Sequence, residues 1–464
     1  MERLLALLLV CSFLFTVAAP ARDITSVCAS QTTADFPHLD SSGLHLTLHH
    51  PQNPCSPAPL PSDLPFSSVL THDDARVAHL ASRLATNDND ATPRRPTSLR
   101  KKKATVDHSL ATVPLSPGTS IGVGNYVTQL GLGTPATSYA MVVDTGSSLT
   151  WLQCSPCIVS CHRQAGPLFN PKSSSTYASV SCSASQCDEL QAATLNPSAC
   201  STSGVCVYQA SYGDSSFSVG YLSKDTVSFG SGSFPNFYYG CGQDNEGLFG
   251  RSAGLIGLAR NKLSLLYQLA PSLGNSFSYC LPTSASTGYL TIGSYNPGQY
   301  SFTPMASNSL DASLYFVTLS GMSVAGSPLA VSPSEYASLP TIIDSGTVIT
   351  RLPTSVYTAL SKAVAAAMAA RGVQSAPAFS ILDTCFEGQA SQVRVPAVGM
   401  AFTGGATMKL AATNVLIDVD DSTTCLAFAP TDSTAIIGNT QQQTFSVVYD
   451  VGQSRIGFAA GGCS

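Results

Sequence analysis

The chain has 464 residues, of which 44% are hydrophobic and only 11% are charged, and its formal net charge at pH 7 is −5. This length favours two or more domains, and the negative charge excludes the basic surface that nucleic-acid binding by the whole chain would need. Beyond the N-terminus no apolar run is long enough to cross a membrane. Segments such as "VCVYQASYG" and "TFSVVYDV" alternate apolar and polar residues between turn residues, which predicts a mostly β protein.

The first 21 residues have the composition of a secretory signal peptide. One early arginine, Arg3, precedes an apolar stretch over Leu4–Val17, and small residues surround the expected cleavage point at Ala19–Ala21. An uncleaved membrane anchor would need a longer apolar run, and a chloroplast transit peptide would be rich in Ser and Arg. Both alternatives are disfavoured, and we expect the protein to be exported.

Residues 22 to about 110 are predicted to be a removable prosegment. They contain Pro, Ser, Asp and His without long periodic elements, and they include a basic run, "RRPTSLRKKK", over Arg94–Lys103. This run could instead be a nucleic-acid-binding or membrane-binding tail. In an exported precursor we favour a prosegment whose positive charge lies against an acidic cleft.

The clearest sequence repeat begins after Gly124. "MVVDTGSSLTWL" (Met141–Leu152) and "TIIDSGTVITRL" (Thr341–Leu352) each place an aspartate and a glycine turn after paired β-branched residues. An apolar pair and a glycine follow each motif, first in "GLIGL" and later in "AIIGN". A repeat of this size predicts two related lobes, which we assign to residues 111–300 and 301–464.

One helix is predicted within "PTSVYTALSKAVAAAMAARG", over Pro353–Gly372. Its apolar residues recur at helical spacing, so we expect them to lie in the core: Val356, Leu360, Val364 and Met368.

The cysteine count indicates disulfides. The chain has 15 cysteines, and an even number of them, twelve, lie from Cys154 onward. Cys154-x-x-Cys157 resembles half of a zinc site, but no second half of matching spacing follows, so structural zinc is disfavoured. The sequence has no Asn-x-Ser/Thr acceptor for N-glycosylation.

The sequence has few residues that could hydrolyse a substrate through a nucleophile–base pair or through a bound zinc ion. Beyond residue 108 the only histidine is His162, so a Ser–His or Cys–His nucleophile would lack a base, and no His-Glu-x-x-His zinc motif occurs. Carboxylate chemistry remains. Two aspartates a few ångströms apart share one proton, so an ionised carboxylate can take a proton from water while its protonated partner polarises a carbonyl group.

On these motifs the sequence resembles the pepsin family of aspartic endopeptidases, whose aspartate pair is the standard example of such shared titration. The resemblance runs from about residue 120 to the C-terminus and is greatest to the plant nepenthesin-like group, which includes chloroplast nucleoid DNA-binding-like proteases. It implies an all-β, bilobal fold with two pseudo-twofold-related β-barrel lobes and a central cleft. The matching segments are "DTGSSLTWLQC", "YGDSSFSVG", "GLIGL", "DSGTVITRLP" and "IIGNTQQQ".

The resemblance implies roles for the residues of both motifs. Asp144 and Asp344 are the expected catalytic pair. Thr145 and Ser345 match the hydroxyls that bridge the two loops, and Ser345 stands where many relatives have Thr. The remaining supporting positions are Gly146, Ser147, Gly346 and Thr347, of which Ser147 and Thr347 are expected to hydrogen-bond the outer carboxylate oxygens.

Other residues match the flap that closes over substrate in this family. Tyr212 is the expected flap tyrosine, and Gly213 and Asp214 follow it. Trp151 matches the residue that hydrogen-bonds this tyrosine, and Phe217 is expected to line the neighbouring pocket. Without the resemblance, Trp151 and Phe217 would be interpreted as core aromatics.

The Cys-rich insertion between Cys154 and Cys206 departs from pepsin and is typical of the nepenthesin-like group. Sequence alone cannot choose among the possible connectivities. The resemblance implies six pairs: Cys154–Cys157, Cys161–Cys241, Cys182–Cys206, Cys187–Cys200, Cys280–Cys463 and Cys385–Cys425.

The function implied by the resemblance is that of a secreted, apoplastic aspartic endopeptidase, made as a zymogen and active at acidic pH without a metal or an organic cofactor. Polypeptide substrates and its own prosegment are the expected partners, and a monomer without a membrane anchor is expected. The vacuole and the chloroplast are the alternative compartments.

Two alternatives differ in function. A catalytically silent binding protein on the same fold, such as a plant inhibitor of cell-wall glycosidases, typically loses an aspartate or the flap, and here both are present. A plastid DNA-associated protease would have to keep the basic run, because the body from residue 104 onward has twelve Lys and Arg against eighteen Asp and Glu.

Overall fold

This computed structural model describes Cys28, Phe36, His38 and residues 44–59, 65–85 and 125–463, except Ser231 and Leu248. The predicted signal peptide, the basic run over Arg94–Lys103 and the predicted prosegment boundary near residue 110 lie outside the described residues. The described chain is mostly β, with short helices around the sheets.

The strands of the first half contain the first aspartate motif and the Cys-rich insertion. They are β1 (Leu44–His49), β2 (Val127–Leu132), β3 (Thr137–Asp144), β4 (Trp151–Gln153), β5 (Ser160–Cys161), β6 (Ala178–Ser179), β7 (Ala199–Cys200), β8 (Cys206–Ser211), β9 (Phe217–Phe229), β10 (Gly232–Glu246), β11 (Gly254–Gly257), β12 (Ser276–Cys280) and β13 (Thr287–Ile292).

The strands of the second half contain the second motif. They are β14 (Ser301–Pro304), β15 (Phe316–Val317), β16 (Leu319–Val324), β17 (Ser327–Pro328), β18 (Thr341–Ile343), β19 (Thr350–Pro353), β20 (Ser375–Ala376), β21 (Cys385–Glu387), β22 (Val398–Phe402), β23 (Thr407–Leu410), β24 (Leu416–Asp418), β25 (Thr423–Leu426), β26 (Phe428–Thr431), β27 (Ala435–Ile437), β28 (Ser446–Asp450) and β29 (Arg455–Ala459).

The α-helices are mostly short. The helix predicted over Pro353–Gly372 is confirmed as a helix over Thr354–Ala369, and its four predicted core residues are buried. Within the described residues, 3₁₀ turns occur at Pro171–Ser173, Pro297–Gln299 and Thr403–Gly405. The helices are α1 (Phe66–Arg83), α2 (Ser185–Asp188), α3 (Leu190–Thr194), α4 (Leu265–Leu273), α5 (Pro333–Tyr336), α6 (Thr354–Ala369), α7 (Ala412–Val415) and α8 (Asn439–Gln442).

One large sheet joins the two halves of the molecule. Strand β9 pairs back to β2, which closes β2, β3, β11, β4, β10 and β9 into a barrel in the first half. From this barrel the sheet continues through β1, β13 and β12 to β28, β29 and β14 of the second half. The second half adds a sheet in the order β15-β18-β27-β19-β26 and two smaller four-stranded sheets.

The sequence repeat is a repeat of strand pairing. Strand β3, which ends in Asp144, runs parallel to β11, and Val143 lies opposite Ile256. In the second half β18 runs parallel to β27 in the same way, with Ile343 opposite Ile437. The apolar pair and glycine that follow each motif are therefore the neighbouring strand, which supports the aspartate loop from the side.

The region before residue 86 is more regular than the sequence suggested. It was expected to lack long periodic elements, and this expectation is wrong, because α1 has 18 residues and β1 has six. The apolar face of α1 packs on the second half of the molecule: Val69 and Leu70 lie in a cluster with Ile349, and Leu80 in one with Phe316. Full burial of each leucine contributes roughly 2 kcal/mol to the docking of α1.

The disulfides differ from the pairing that the resemblance implied. Cys280–Cys463 and Cys385–Cys425 are formed as expected, and Cys28 pairs with Cys55 before the first motif. The other four implied pairs are wrong, because strand register brings different cysteines together; for example, β4 lies parallel to β10 with Leu152 opposite Cys241. The pairs formed instead are Cys154–Cys241, Cys157–Cys161, Cys182–Cys200 and Cys187–Cys206.

Candidate active site

The two motif aspartates meet at the ends of equivalent strands. Asp144 is the last residue of β3 and Asp344 directly follows β18, and both side chains are buried. The hydroxyls beside them cross between the loops. The Ser345 amide donates to Thr145 Oγ1 at 2.9 Å, and the Thr145 amide donates to Ser345 Oγ at 3.2 Å. Thr145 Oγ1 also donates to Asp344 Oδ1 at 3.2 Å, so the two loops hold each other in place.

The outer contacts of the two carboxylates are not equivalent. Thr347 Oγ1 donates to Asp344 Oδ2 at 2.6 Å, as the resemblance implied. The corresponding contact of Ser147 is not formed, because neither Ser147 Oγ nor Asp144 Oδ2 has a hydrogen-bond partner among the described residues. Asp144 instead uses Oδ1, which accepts the Gly146 amide at 3.0 Å.

The predicted flap residues lie over one side of the cleft. Trp151 Nε1 donates to the Tyr212 hydroxyl at 2.8 Å, and burial raises the pKa of Tyr212. Phe249 packs edge-on against both rings, 4.8 Å from Trp151 and 5.7 Å from Tyr212 between centroids. Phe249 lines the cleft, whereas Phe217, at the start of β9, does not belong to the described residues that line it. Gly213 and Asp214 line the cleft beside the tyrosine.

Helix α1 fills the space between the two aspartates. Arg76 Nη2 lies 2.5 Å from Asp144 Oδ1 and 2.8 Å from Asp344 Oδ1, and Arg76 Nε lies 2.7 Å from Asp344 Oδ2. Glycine permits this approach, since a Cβ atom at Gly346 would lie 2.3 Å from Arg76 Cζ. On the flap side, a Cβ atom at Gly213 would lie 2.2 Å from His79 Cβ. One guanidinium therefore blocks both carboxylates.

Further charged contacts fix α1 in the cleft. Arg83 Nη1 donates to the Gly146 carbonyl at 2.7 Å, and Arg83 Nη2 lies 2.6 Å from Asp311 Oδ2. At the other side of Arg76, Asp73 and Asp74 pair with Arg351 of the body, at 3.0 Å and 2.7 Å.

Charges around α1 shift the pKa values of groups in the cleft. Burial raises the pKa of Asp344, but the ion pair and hydrogen bonds with Arg76 outweigh it, so this pKa lies below its ordinary value. Burial lowers the pKa of His72, against the opposing charge of Asp214. Burial and the neighbouring Arg83 and Arg76 also lower the pKa of His79. Docking of α1 thus favours the ionised form of Asp344 and the neutral forms of His72 and His79.

Comparisons with known proteins agree with this geometry. Residues 126–294 match the family described as Xylanase inhibitor N-terminal, and residues 314–460 match Xylanase inhibitor C-terminal. An aspartyl protease family protein of Arabidopsis thaliana is 41% identical over 407 residues, which cover 85% of this chain and 82% of that protein. The chain belongs to the pepsin-like family of aspartic proteases. Within this family, aspartic proteinase nepenthesin-2 of Nepenthes gracilis is 35% identical over 74% of this chain and 78% of nepenthesin-2.

Solved structures of pepsin-like fold confirm the predicted all-β, bilobal architecture. The crystal structure of basic 7S globulin from soybean has a TM-score of 0.57 and 19% sequence identity, over 72% of this chain and 92% of the globulin. The crystal structure of EDGP has the same TM-score of 0.57 at 21% identity, over 72% of this chain and 91% of EDGP. At this identity the likeness shows the fold alone.

Sequence reasoning missed the residues that occupy the cleft. Arg76, His79 and Arg83 belong to a segment that was interpreted as irregular, and the acidic cleft was expected to face the basic run at Arg94–Lys103. The available signal was the spacing of Val69, Leu70, Val77, Leu80 and Leu84, which is that of an amphipathic helix.

Proposed function

We propose that this protein is an aspartic-type endopeptidase that hydrolyses peptide bonds at acidic pH and is made as a zymogen. The observation that carries the proposal is the juxtaposition of Asp144 and Asp344, both buried and braced through Thr145 and Ser345. The relatives named aspartic proteases support it.

The reaction needs only the two aspartates and a water molecule. With α1 released, like charges at short distance leave one proton shared between the carboxylates. The ionised carboxylate accepts a proton from water, whose oxygen attacks the substrate carbonyl carbon, and the protonated carboxylate donates a hydrogen bond to the carbonyl oxygen. The carboxyl group that took the proton from water then passes it to the amide nitrogen, the C–N bond breaks and the amine leaves, without an acyl-enzyme. Tyr212, held by Trp151, closes over an extended peptide and excludes bulk water.

The zymogen part of the proposal rests on α1. Arg76 occupies both carboxylates, so the cleft cannot accept a peptide while the helix is docked. We assign residues 22–110 as the removable prosegment and residues 1–21 as its signal peptide. Seven disulfides among the described residues support an oxidising, secreted destination. Among the helices of the described residues, none has the length and apolar character to cross a membrane.

The deciding experiment compares the purified precursor with Asp144→Asn and Asp344→Asn at about pH 3.5 and at pH 7. N-terminal sequencing and digestion of a denatured protein, with and without pepstatin, give the readout. We expect only the wild type to shorten and to digest substrate in acid. Pepstatin-sensitive digestion that requires trimming by another protease would reject self-activation alone.

A binding protein without catalysis is the second candidate, because both matching family descriptions read Xylanase inhibitor. Complete inactivity of the trimmed wild type would favour it, and tight binding to a xylanase would support it.

A further inference from the structure

We propose that Arg351 and the backbone amides of Val348 and Ile349 form a carboxylate-binding subsite of the cleft. Once α1 has left, this subsite takes an Asp or Glu side chain of a polypeptide substrate. The inference rests on the proposed peptidase function and adds a preference for acidic residues near the cleaved bond.

In the precursor the subsite already holds the carboxyl group of Asp73; burial raises the pKa of this group, against the opposing effects of Arg351 and of the Val348 and Ile349 amides. The Val348 amide donates to Asp73 Oδ1, and the Ile349 amide donates to Asp73 Oδ2 at 3.2 Å. Arg351 Nη2 lies 3.0 Å from the same Oδ2. With α1 docked, the side chain of Asp73 is fully buried and that of Arg351 is 4% exposed, so the three donors converge on one carboxyl group inside the docked interface.

The carboxylates paired with Arg351 in the described structure both come from α1. Besides Asp73, Arg351 Nη2 contacts Asp74 Oδ1 at 2.7 Å, and Arg351 Nη1 donates to the Ile349 carbonyl at 2.9 Å. When α1 leaves, the Arg351 guanidinium keeps its hydrogen bond to the Ile349 carbonyl and loses its ion pairs with Asp73 and Asp74. Departure of α1 leaves the positive charge of Arg351 without its counter-charges, so the vacated subsite attracts a new anion. A guanidinium flanked by amide donors matches the geometry of a carboxylate.

Position 351 has an equivalent in the first half of the molecule. Arg351 follows Asp344 by seven residues, and Trp151 follows Asp144 by the same number. Both positions pair with equivalent strands, Trp151 with Leu255 and Arg351 with Ile436. In the first half this position supports the flap through Tyr212; in the second half it presents a positive charge.

The subsite lies close to the catalytic pair. Thr347, the neighbour of Val348, bonds Asp344 directly. Asp73 precedes Arg76 by three residues on one helix, which corresponds to about 4.5 Å along the helix axis. An extended peptide advances about 3.3 Å per residue. The acidic residue of a substrate is therefore expected within about three residues of the cleaved bond.

The test uses the matured enzyme and peptides that differ only in Glu against Gln at each of the three positions on either side of the cleaved bond. At one position we expect kcat/KM to be at least about tenfold higher for Glu, because the lost contacts are hydrogen bonds to a charged group. This preference should grow between pH 3 and pH 6 as Glu ionises. It should disappear in Arg351→Met and persist partly in Arg351→Lys. Arg371→Met, at an exposed arginine, is the matched control.

Equal cleavage of Glu and Gln peptides at all positions by the wild type would overturn the subsite, whether or not Arg351→Met folds. Failure of the wild type to cleave any peptide would instead reject the peptidase function. In that case calorimetric titration of the matured protein with the same Glu and Gln peptides decides the subsite separately: selective binding of Glu supports it, and equal binding rejects it.

Discussion

Replacement of Arg76 by Gln should make the intact precursor active. The Arg76 guanidinium makes three charge-assisted contacts of 2.5–2.8 Å with two buried carboxylates. Removal of one partner from a buried ion pair typically costs about 3–5 kcal/mol. In the docked state the glutamine leaves Asp144 and Asp344 facing each other without a counter-charge. The equilibrium between docked and released α1 should then shift toward release by roughly a hundredfold to a few thousandfold.

The assay measures hydrolysis of an internally quenched peptide during the first minutes after acidification, while mass spectrometry records whether the precursor is still intact. Arg76→Gln should hydrolyse the peptide before any shortening of the chain. The wild type should stay silent until it shortens, and both should reach the same kcat once matured, because Arg76 leaves with the prosegment.

Arg371→Gln is the matched control for this experiment, since Arg371 is exposed just beyond the end of α6 and its side chain donates to the Ala367 carbonyl of that helix, at 2.6 Å. It should behave like the wild type. If the intact Arg76→Gln precursor is as silent as the intact wild type, then Arg76 is not the group that holds the catalytic pair closed, and the reasoning from its contacts is refuted.

Three further predictions concern pH, the flap and the disulfides. Burial and the positive charges of Arg83 and Arg76 lower the pKa of His79, against the opposing negative charges of Asp144 and Asp214. The neutral imidazole therefore stabilises docked α1 at pH values above 6.5, the ordinary pKa of histidine. This stabilisation is lost as the pH falls through the lowered pKa. His79→Asn should therefore need a lower pH for half-maximal self-shortening on gels, whereas His38→Asn, outside the cleft, should not. Tyr212→Phe leaves the Trp151 indole N–H unpaired at a cost of about 1–3 kcal/mol, which predicts a fall in kcat/KM of about fivefold to 150-fold; Tyr177→Phe, bonded to Ser223, should change it little. Removal of Cys280–Cys463, which spans 183 residues, should lower the free energy of unfolding by about 5 kcal/mol, against about 2 kcal/mol for Cys157–Cys161, which spans four, as measured by urea titration. Peptide mapping without reduction should recover a disulfide-linked peptide that contains Cys154 and Cys241.

The local motifs carried most of what the sequence could predict. Asp144 and Asp344 were found because strand, aspartate and glycine turn follow one another within a few residues, twice. Four of the six implied disulfides were wrong, because Cys154, Cys157 and Cys161 lie so close in sequence that spacing allows several pairings. Strand register decides among them, and register is a property of the folded sheet.

Occupation of the cleft by α1 depends on contacts that no local pattern contains. Arg76 meets Asp144 across 68 residues of sequence and Asp344 across 268. The apolar residues of α1 recur at helical spacing, but the start of the helix is hard to predict because Pro65 makes no side-chain cap. The segment that contains α1 was therefore predicted to be irregular from its Pro, Ser and Asp content, although its apolar residues have helical spacing.

Strand β1 gives the helix an anchor that is independent of the cleft. All six of its residues pair with β13, and it lies between β13 and β2 in the large sheet. A precursor cut between residues 85 and 125 therefore keeps α1 on the molecule for as long as β1 stays paired. Re-docking is then an intramolecular event, governed by an effective concentration in the millimolar range and insensitive to dilution. In the zymogen proposed above, release of α1 from the two aspartates and loss of α1 from the molecule are therefore separate steps, and a return to neutral pH should reverse the first step until the second has occurred.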